Sequence, residues 1–104
     1  MNIGCDIVEN KRMEHVNERF LTHVLTENEL AEYQRRGLTY LCGRFAAKEA
    51  IMKALPDTKN YTFLDFEILN HPDGSPYCVG HPEIQISISH EKNYSIAMAL
   101  YIQE

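Results

Sequence analysis

The chain has no tryptophan and, in 104 residues, only five glycines and four prolines. That scarcity excludes collagen-like or low-complexity architectures, which need far more of both. Its three cysteines, Cys5, Cys42 and Cys78, lack the close spacing of zinc or redox motifs and are too few for a disulfide framework, so free buried thiols are expected. His15, His23, His71, His81 and His90 form no HxH or HExxH cluster, so they are read as surface or turn histidines and zinc is not expected. No run approaches the roughly 20 apolar residues that cross a bilayer. The N-terminus also lacks the basic-then-apolar order of a signal peptide, which makes the cytoplasm the expected address. Positive charge is nearly absent from the second half. Residues 1–59 carry nine Lys/Arg and nine Asp/Glu, residues 60–104 only Lys92 against six acids, and the net charge is −5. With no broad basic face, a long nucleic-acid partner is excluded.

What is present is 44% hydrophobic and 24% charged residues, the balance of one soluble globular domain spanning 1–104. An apolar strand from about Asn2 to Val8 leads into a helical pattern in which Met13, Val16, Phe20 and Val24 recur at spacings of three and four. Thr26-Glu27-Asn28-Glu29 has capping-box order, opening a second helix with Leu30 and Tyr33 that Gly37 stops. Leu41 to Leu55 reads as a third helix, broken by Pro56. After Asn60 the period becomes two: a strand over Phe63–Leu69, a turn over His71–Pro76, a short strand at Tyr77–Val79, and a hairpin of two long strands joined through His90–Asn93. Helices before most of the strands predict an α+β fold, an antiparallel sheet packed with about three helices.

Charged residues interrupt the apolar segments. Asp6 sits inside Ile3-Gly4-Cys5-Asp6-Ile7-Val8 and, with Glu9, reads either as a helix cap or as part of a site. Glu49 and Lys53, four residues apart, read either as a surface pair or as cleft residues. Arg44 and Lys48 share that spacing with like charge, which is destabilising unless an anion lies nearby. At about 100° per residue the two pairs occupy adjoining sectors with Phe45 and Met52 between them, so at least one pair should border a cleft. Two carboxylates with open positions suit Mg²⁺, which takes one or two protein carboxylates and completes its shell with water and phosphate oxygens.

The residues also resemble a known family. Ile3-Gly4-Cys5-Asp6-Ile7-Val8-Glu9 with Lys11-Arg12, Arg19-Phe20, Leu25-Thr26 with Glu29-Leu30, Gly43-Arg44-Phe45-Ala46-Ala47-Lys48-Glu49-Ala50 with Lys53-Ala54, and Ile86-Ser87-Ile88-Ser89-His90 are similar to the holo-(acyl-carrier-protein) synthase family, the small bacterial phosphopantetheinyl transferases. The blocks keep the family's order from residue 3 to about residue 100. The resemblance implies a phosphopantetheinyl-transferase-like fold and a Mg²⁺-dependent enzyme of fatty acid biosynthesis. Such an enzyme moves the phosphopantetheine arm of coenzyme A to a serine of apo acyl carrier protein and releases adenosine 3',5'-bisphosphate.

By the same resemblance Asp6 and Glu49 are metal ligands, Glu49 and Lys53 catalytic residues, and Arg44, Lys48, Lys53 and His90 coenzyme A contacts. Arg12, Arg19 and Phe20 face the carrier protein, and the family is a homotrimer with active sites between subunits. One departure is visible: the longer basic connection that usually precedes the RFAAKEA helix is reduced here to Arg35-Arg36-Gly37-Leu38-Thr39-Tyr40, which leaves the holder of the 3'-phosphate open. The competing reading is a non-enzymatic module whose Arg12, Arg35 and Arg36 dock an acidic protein. It does not call for Asp6, Glu49 and Lys53 together.

Overall fold

One helix organises the molecule. In the computed structural model, which describes residues 1–57 and 60–103, α3 (Leu38–Ala54) lies across a three-stranded sheet of β1 (Asn2–Glu9), β5 (Tyr94–Tyr101) and β4 (Ile84–His90), in that order and antiparallel throughout. Two shorter helices, α1 (Glu18–Val24) and α2 (Glu27–Arg36), and a two-stranded ribbon of β2 (Ile68–Asn70) and β3 (Pro76–Cys78) cover its other side. Among the described residues no helix is long and apolar enough to cross a membrane.

The sheet packs on α3 through its smallest side chains. A Cβ on Gly4 would stand 2.0 Å from the carbonyl oxygen of Ala50, so only glycine permits this approach. Ala46, Ala47, Ala50 and Ala54 on the helix and Ala97 and Ala99 on β5 are all buried at this contact. Ser95 shares that inner face, which turns the large residues of β5, Tyr94, Ile96 and Met98, outward. Ile3 and Ile7 of the antiparallel neighbour β1 lie on the same outer face, 63% and 62% exposed. Among the described residues nothing covers it, although such an area of apolar surface is unusual on a monomer.

Several expected boundaries shift for local reasons. The first helix does not run from Met13 to Val24: a 3-10 turn spans Asn10–Met13, and α1 starts after Asn17, whose side chain accepts from the Phe20 amide as N-cap. Asp6 is therefore not a helix cap, being in the middle of β1. Thr26 and Glu29 form the expected capping box, and Gly37 at φ +86 ends α2 and begins α3, three residues earlier than expected. The strand expected over Phe63–Leu69 is split, because Asp65 accepts from the Thr62 amide (2.7 Å) and closes a 3-10 turn at Phe63–Asp65 before β2 begins. Cys42 and Cys78 are buried, with burial pushing their thiols up to about 11 and about 12, whereas Cys5, expected to be buried, is exposed on the outer sheet face.

Candidate functional site

Asp6, Glu49 and Lys53 converge at the β1 edge of the sheet. Gly4 fixes the approach of β1 to Ala50 and Ala54, and Asp6, two residues on, points to the same inner side beside Glu49 and Lys53. Lys53 Nζ donates to Asp6 Oδ1 (3.1 Å) and to the Cys5 carbonyl (2.9 Å). Burial raises the Glu49 carboxyl above its ordinary pKa, the Asp6 charge raises it further, and Lys53 offsets part of the rise. Two carboxylates against one ammonium leave a local excess of one negative charge, held together by the fold against its own repulsion. A divalent cation relieves that repulsion, and the oxygen donor set suits Mg²⁺. No group of three His, Cys, Asp or Glu able to hold a metal occurs among the described residues, so an ion held by this pair would leave most of its shell to water and ligand oxygens.

The opposite edge carries the inverse charge. A cleft of about 190 Å³ opens beside β4 between α3 and the turn joining β2 to β3, lined among others by Arg36, Tyr40, Arg44, Asn70, Pro76 and His90, with no carboxylate in its wall. Arg44 is only 4% exposed, yet its partners are neutral: Nε donates to the Ile68 carbonyl (3.0 Å), Nη2 donates to Asn70 Oδ1, and the guanidinium lies 4.3 Å from the Tyr40 ring centroid. Burying a cation without a counter-charge is costly unless something in the cleft supplies one. Gly43 meets Ile88 of β4 while Ala54 meets Gly4 of β1, so α3 crosses the sheet from the cleft to the carboxylates. The ten positions from Gly43 to Lys53 cover roughly 15 Å of helix.

Lys48 does not join either cluster. Its side chain is fully buried, and Nζ donates to Glu29 Oε1 (2.6 Å) and to the Val24 carbonyl (2.6 Å). Expected among the coenzyme A contacts, Lys48 does not line the cleft of Arg44 and His90, and the anion that the Arg44/Lys48 spacing called for is, for Lys48, the protein's own Glu29. Glu29 in turn accepts from the amides of Thr26 (2.9 Å) and Ile68 (2.8 Å), tying α1, α2, α3 and β2 together. Sequence reading gave Glu29 only its capping role.

Of the three residues expected to face a carrier protein, Arg12 sits on the 3-10 turn and not on a common helix with Arg19 and Phe20. Phe20 is half-buried, stacking on Phe45 (centroids 5.9 Å apart), which stacks on Phe63 (5.3 Å). Arg19, Phe20, His23 and Phe63 border one apolar groove of about 360 Å³. Tyr40 and Asn70 were not singled out as site residues, and Arg36 only as a docking residue of the competing reading. Glu32 and Arg36 have the i,i+4 order of an ordinary surface pair, but Arg35 takes Glu32 (2.6 Å), and nothing in the sequence places Asn70 beside either arginine.

Fold and clusters together define a small α+β domain equipped to meet a cation at one sheet edge and an anion at the other. The profile of the 4'-phosphopantetheinyl transferase superfamily matches residues 2–99. The chain is 43% identical to the holo-(acyl-carrier-protein) synthase of Oceanobacillus iheyensis, over 91% of this chain and 90% of that protein, and 39% identical to that of a Geobacillus species, over 96% and 94%. It superposes with a TM-score of 0.87 on the crystal structure of the Bacillus anthracis holo-(acyl-carrier-protein) synthase in complex with coenzyme A (3',5'-ADP), at 35% identity and covering 98% of this chain and 96% of that one. The Helicobacter pylori enzyme in complex with coenzyme A gives 0.83 at 31% identity, covering 95% and 98%. The chain belongs to the 4'-phosphopantetheinyl transferase superfamily, within its holo-(acyl-carrier-protein) synthase family, and is a transferase.

Proposed function

We propose that this chain transfers the phosphopantetheine arm of coenzyme A to a serine of apo acyl carrier protein, in the cytoplasm and in the service of fatty acid biosynthesis, with Mg²⁺ held by Asp6 and Glu49. The observation that carries the reading is the buried Arg44 guanidinium in an acid-free cleft with Arg36 and His90, a setting that favours a phosphate-bearing ligand. In this reading Arg36, which survives from the shortened connection, joins Arg44 and His90 at the 3'-phosphate of coenzyme A. The serine oxygen attacks the phosphorus that bears the pantetheine. An oxygen–phosphorus bond forms, the bond to the bridging pyrophosphate oxygen breaks, and adenosine 3',5'-bisphosphate leaves with that electron pair. Asp6 and Glu49 would hold the ion, which would supply charge neutralisation for the phosphoryl transfer. Lys53, anchored on the Cys5 carbonyl and Asp6, keeps its remaining proton for an oxygen that gains charge as the bond breaks. The serine proton passes to Glu49 or to water.

Two features support a homotrimer with sites between subunits. The outer sheet face offers Ile3, Ile7, Tyr94, Ile96 and Met98 to a neighbour, an area better buried than hydrated. The carboxylate pair and the cation cleft lie at opposite edges of one sheet, so a single copy does not close them around one coenzyme A. In this reading Arg12, Arg19 and Phe20 recruit the acidic carrier protein, with the groove beside Phe63 receiving an apolar side chain. The test is intact-mass spectrometry of apo acyl carrier protein incubated with coenzyme A and the enzyme. The carrier gains one phosphopantetheine with Mg²⁺ and none with a chelator. No gain under any divalent ion would overturn the proposal.

A further inference from the structure

The hydroxyl of Tyr40 is the one buried side-chain polar atom without a hydrogen-bond partner among the described residues. Burying a hydroxyl without a partner is costly, so what holds Tyr40 at this position is sought in its ring. The surroundings show what the ring does. The Arg44 guanidinium carbon lies 4.3 Å from the ring centroid and that of Arg36 lies 5.2 Å from it. Both arginines also converge on one neutral acceptor, Asn70 Oδ1, to which Arg44 Nη2 donates and Arg36 Nη1 donates at 3.4 Å. Neither has a carboxylate partner: among the described residues Arg35 takes the only glutamate salt bridge on α2 to an arginine, and Glu29 is engaged by Lys48. Two like charges are thus gathered at the cleft by a π face and one amide oxygen, both too weak to neutralise them.

We propose that Tyr40 is a positioning residue whose ring holds Arg36 and Arg44 together as a double guanidinium clamp for a phosphate-bearing ligand. The ring's negative face attracts each planar cation and leaves its edge donors free, which a carboxylate would occupy and an aliphatic side chain would not orient. Position supports the assignment: Tyr40 lies on the first turn of α3, where the shortened connection enters, and it lines both the cleft with His90 and the larger adjoining one of about 590 Å³ with Arg35 and His71. The clamp is assigned to the ring and not to the hydroxyl, which makes no hydrogen bond of good geometry.

The inference rests on the proposed coenzyme A reading of the cleft, and the experiment separates the two. Calorimetric titration with adenosine 3',5'-bisphosphate is made on the wild type, Tyr40→Phe and Tyr40→Leu, each first checked for its melting curve. Tyr40→Phe keeps both ring contacts and sheds the orphaned hydroxyl, so it binds as the wild type does and melts no lower. Tyr40→Leu keeps an apolar filling but releases both guanidinium groups, and its affinity falls on the order of tenfold. In turnover that fall appears as a raised KM for coenzyme A, with KM for the carrier protein and kcat at saturation nearly unchanged. A wild type that binds while Tyr40→Leu binds equally well would overturn the clamp and leave the functional reading standing. A wild type that does not bind would overturn the functional reading itself. Should Tyr40→Leu not fold, Tyr40→Met, which fills the space without a π face, takes its place, and unaltered affinity in it, or an unaltered KM for coenzyme A in Arg36→Ala, refutes the clamp.

Discussion

Replacing Lys48 by Met should cost stability far out of proportion to its effect on chemistry. The substitution preserves volume but strips Glu29, which is fully buried, of its ammonium partner, and it leaves the Val24 carbonyl without its 2.6 Å donor. The carboxylate keeps the Thr26 and Ile68 amides but no compensating positive charge. Breaking a buried pair by removing one partner costs about 3–5 kcal/mol. For a domain of this size each 1 kcal/mol moves Tm by roughly 4–8 °C, so a fall of at least about 12 °C is expected. Adding Glu29→Gln removes the stranded charge and should recover part of that loss. The control lies five residues along the same helix. Lys53, with a side chain 54% exposed, loses under about 1 kcal/mol as Met, because solvent already screens its bond to Asp6. Calorimetric melting at one fixed protein concentration, paired with initial rates at saturating coenzyme A, separates the two lysines. A Lys48→Met protein that melts within about 4 °C of the wild type while its KM for coenzyme A rises would refute the structural assignment and return Lys48 to the cleft.

Lys53→Met should show the converse, a rate lowered about 10²-fold or more with little change in Tm; a larger loss of stability than of rate would make it a plain surface pair. Glu49→Gln should abolish most of the transfer while stabilising the magnesium-free protein near pH 7. The raised folded-state pKa of Glu49 makes its ionisation unfavourable above that pKa and indifferent below the unfolded value of about 4.3, so the gain should vanish in acid. Urea titrations at both pH values decide the point. Gly4→Ala should destabilise by about 3 kcal/mol or more, since its Cβ meets backbone that cannot step aside, and a fully active, unshifted protein would contradict the close approach.

The motif blocks carried the family and the carboxylate pair because those residues are fixed by local order: Asp6 by its strand, Glu49 and Lys53 by one helical turn. The all-round burial of α3 was hidden, since its alanines give no amphipathic stripe and only the opposing small face of Gly4, Ala97 and Ala99 explains them. Alternation in β5 correctly located the strand but not which face is inner, because packing distance favoured the small side chains over the hydrophobic ones. Arg36, Tyr40 and Asn70 come together only through the α2–α3 junction and the β2–β3 turn, contacts distant in sequence that no local pattern announces. The first helix was overdrawn because Met13 and Val24 both face the core, although Asn17 caps a new helix between them.

Mixed trimers decide whether the carboxylate edge of one subunit works with the cation cleft of another. Asp6→Asn disables one half and Arg36→Glu reverses charge in the other, both at positions that leave the core untouched. Each variant alone should be nearly inactive. Co-refolded in equal amounts, random trimers should regain roughly a quarter of the wild-type rate, because that share of interfaces joins two intact halves. No activity beyond the sum of the separate variants, with mixed trimers verified by mass, would contradict a site shared between subunits.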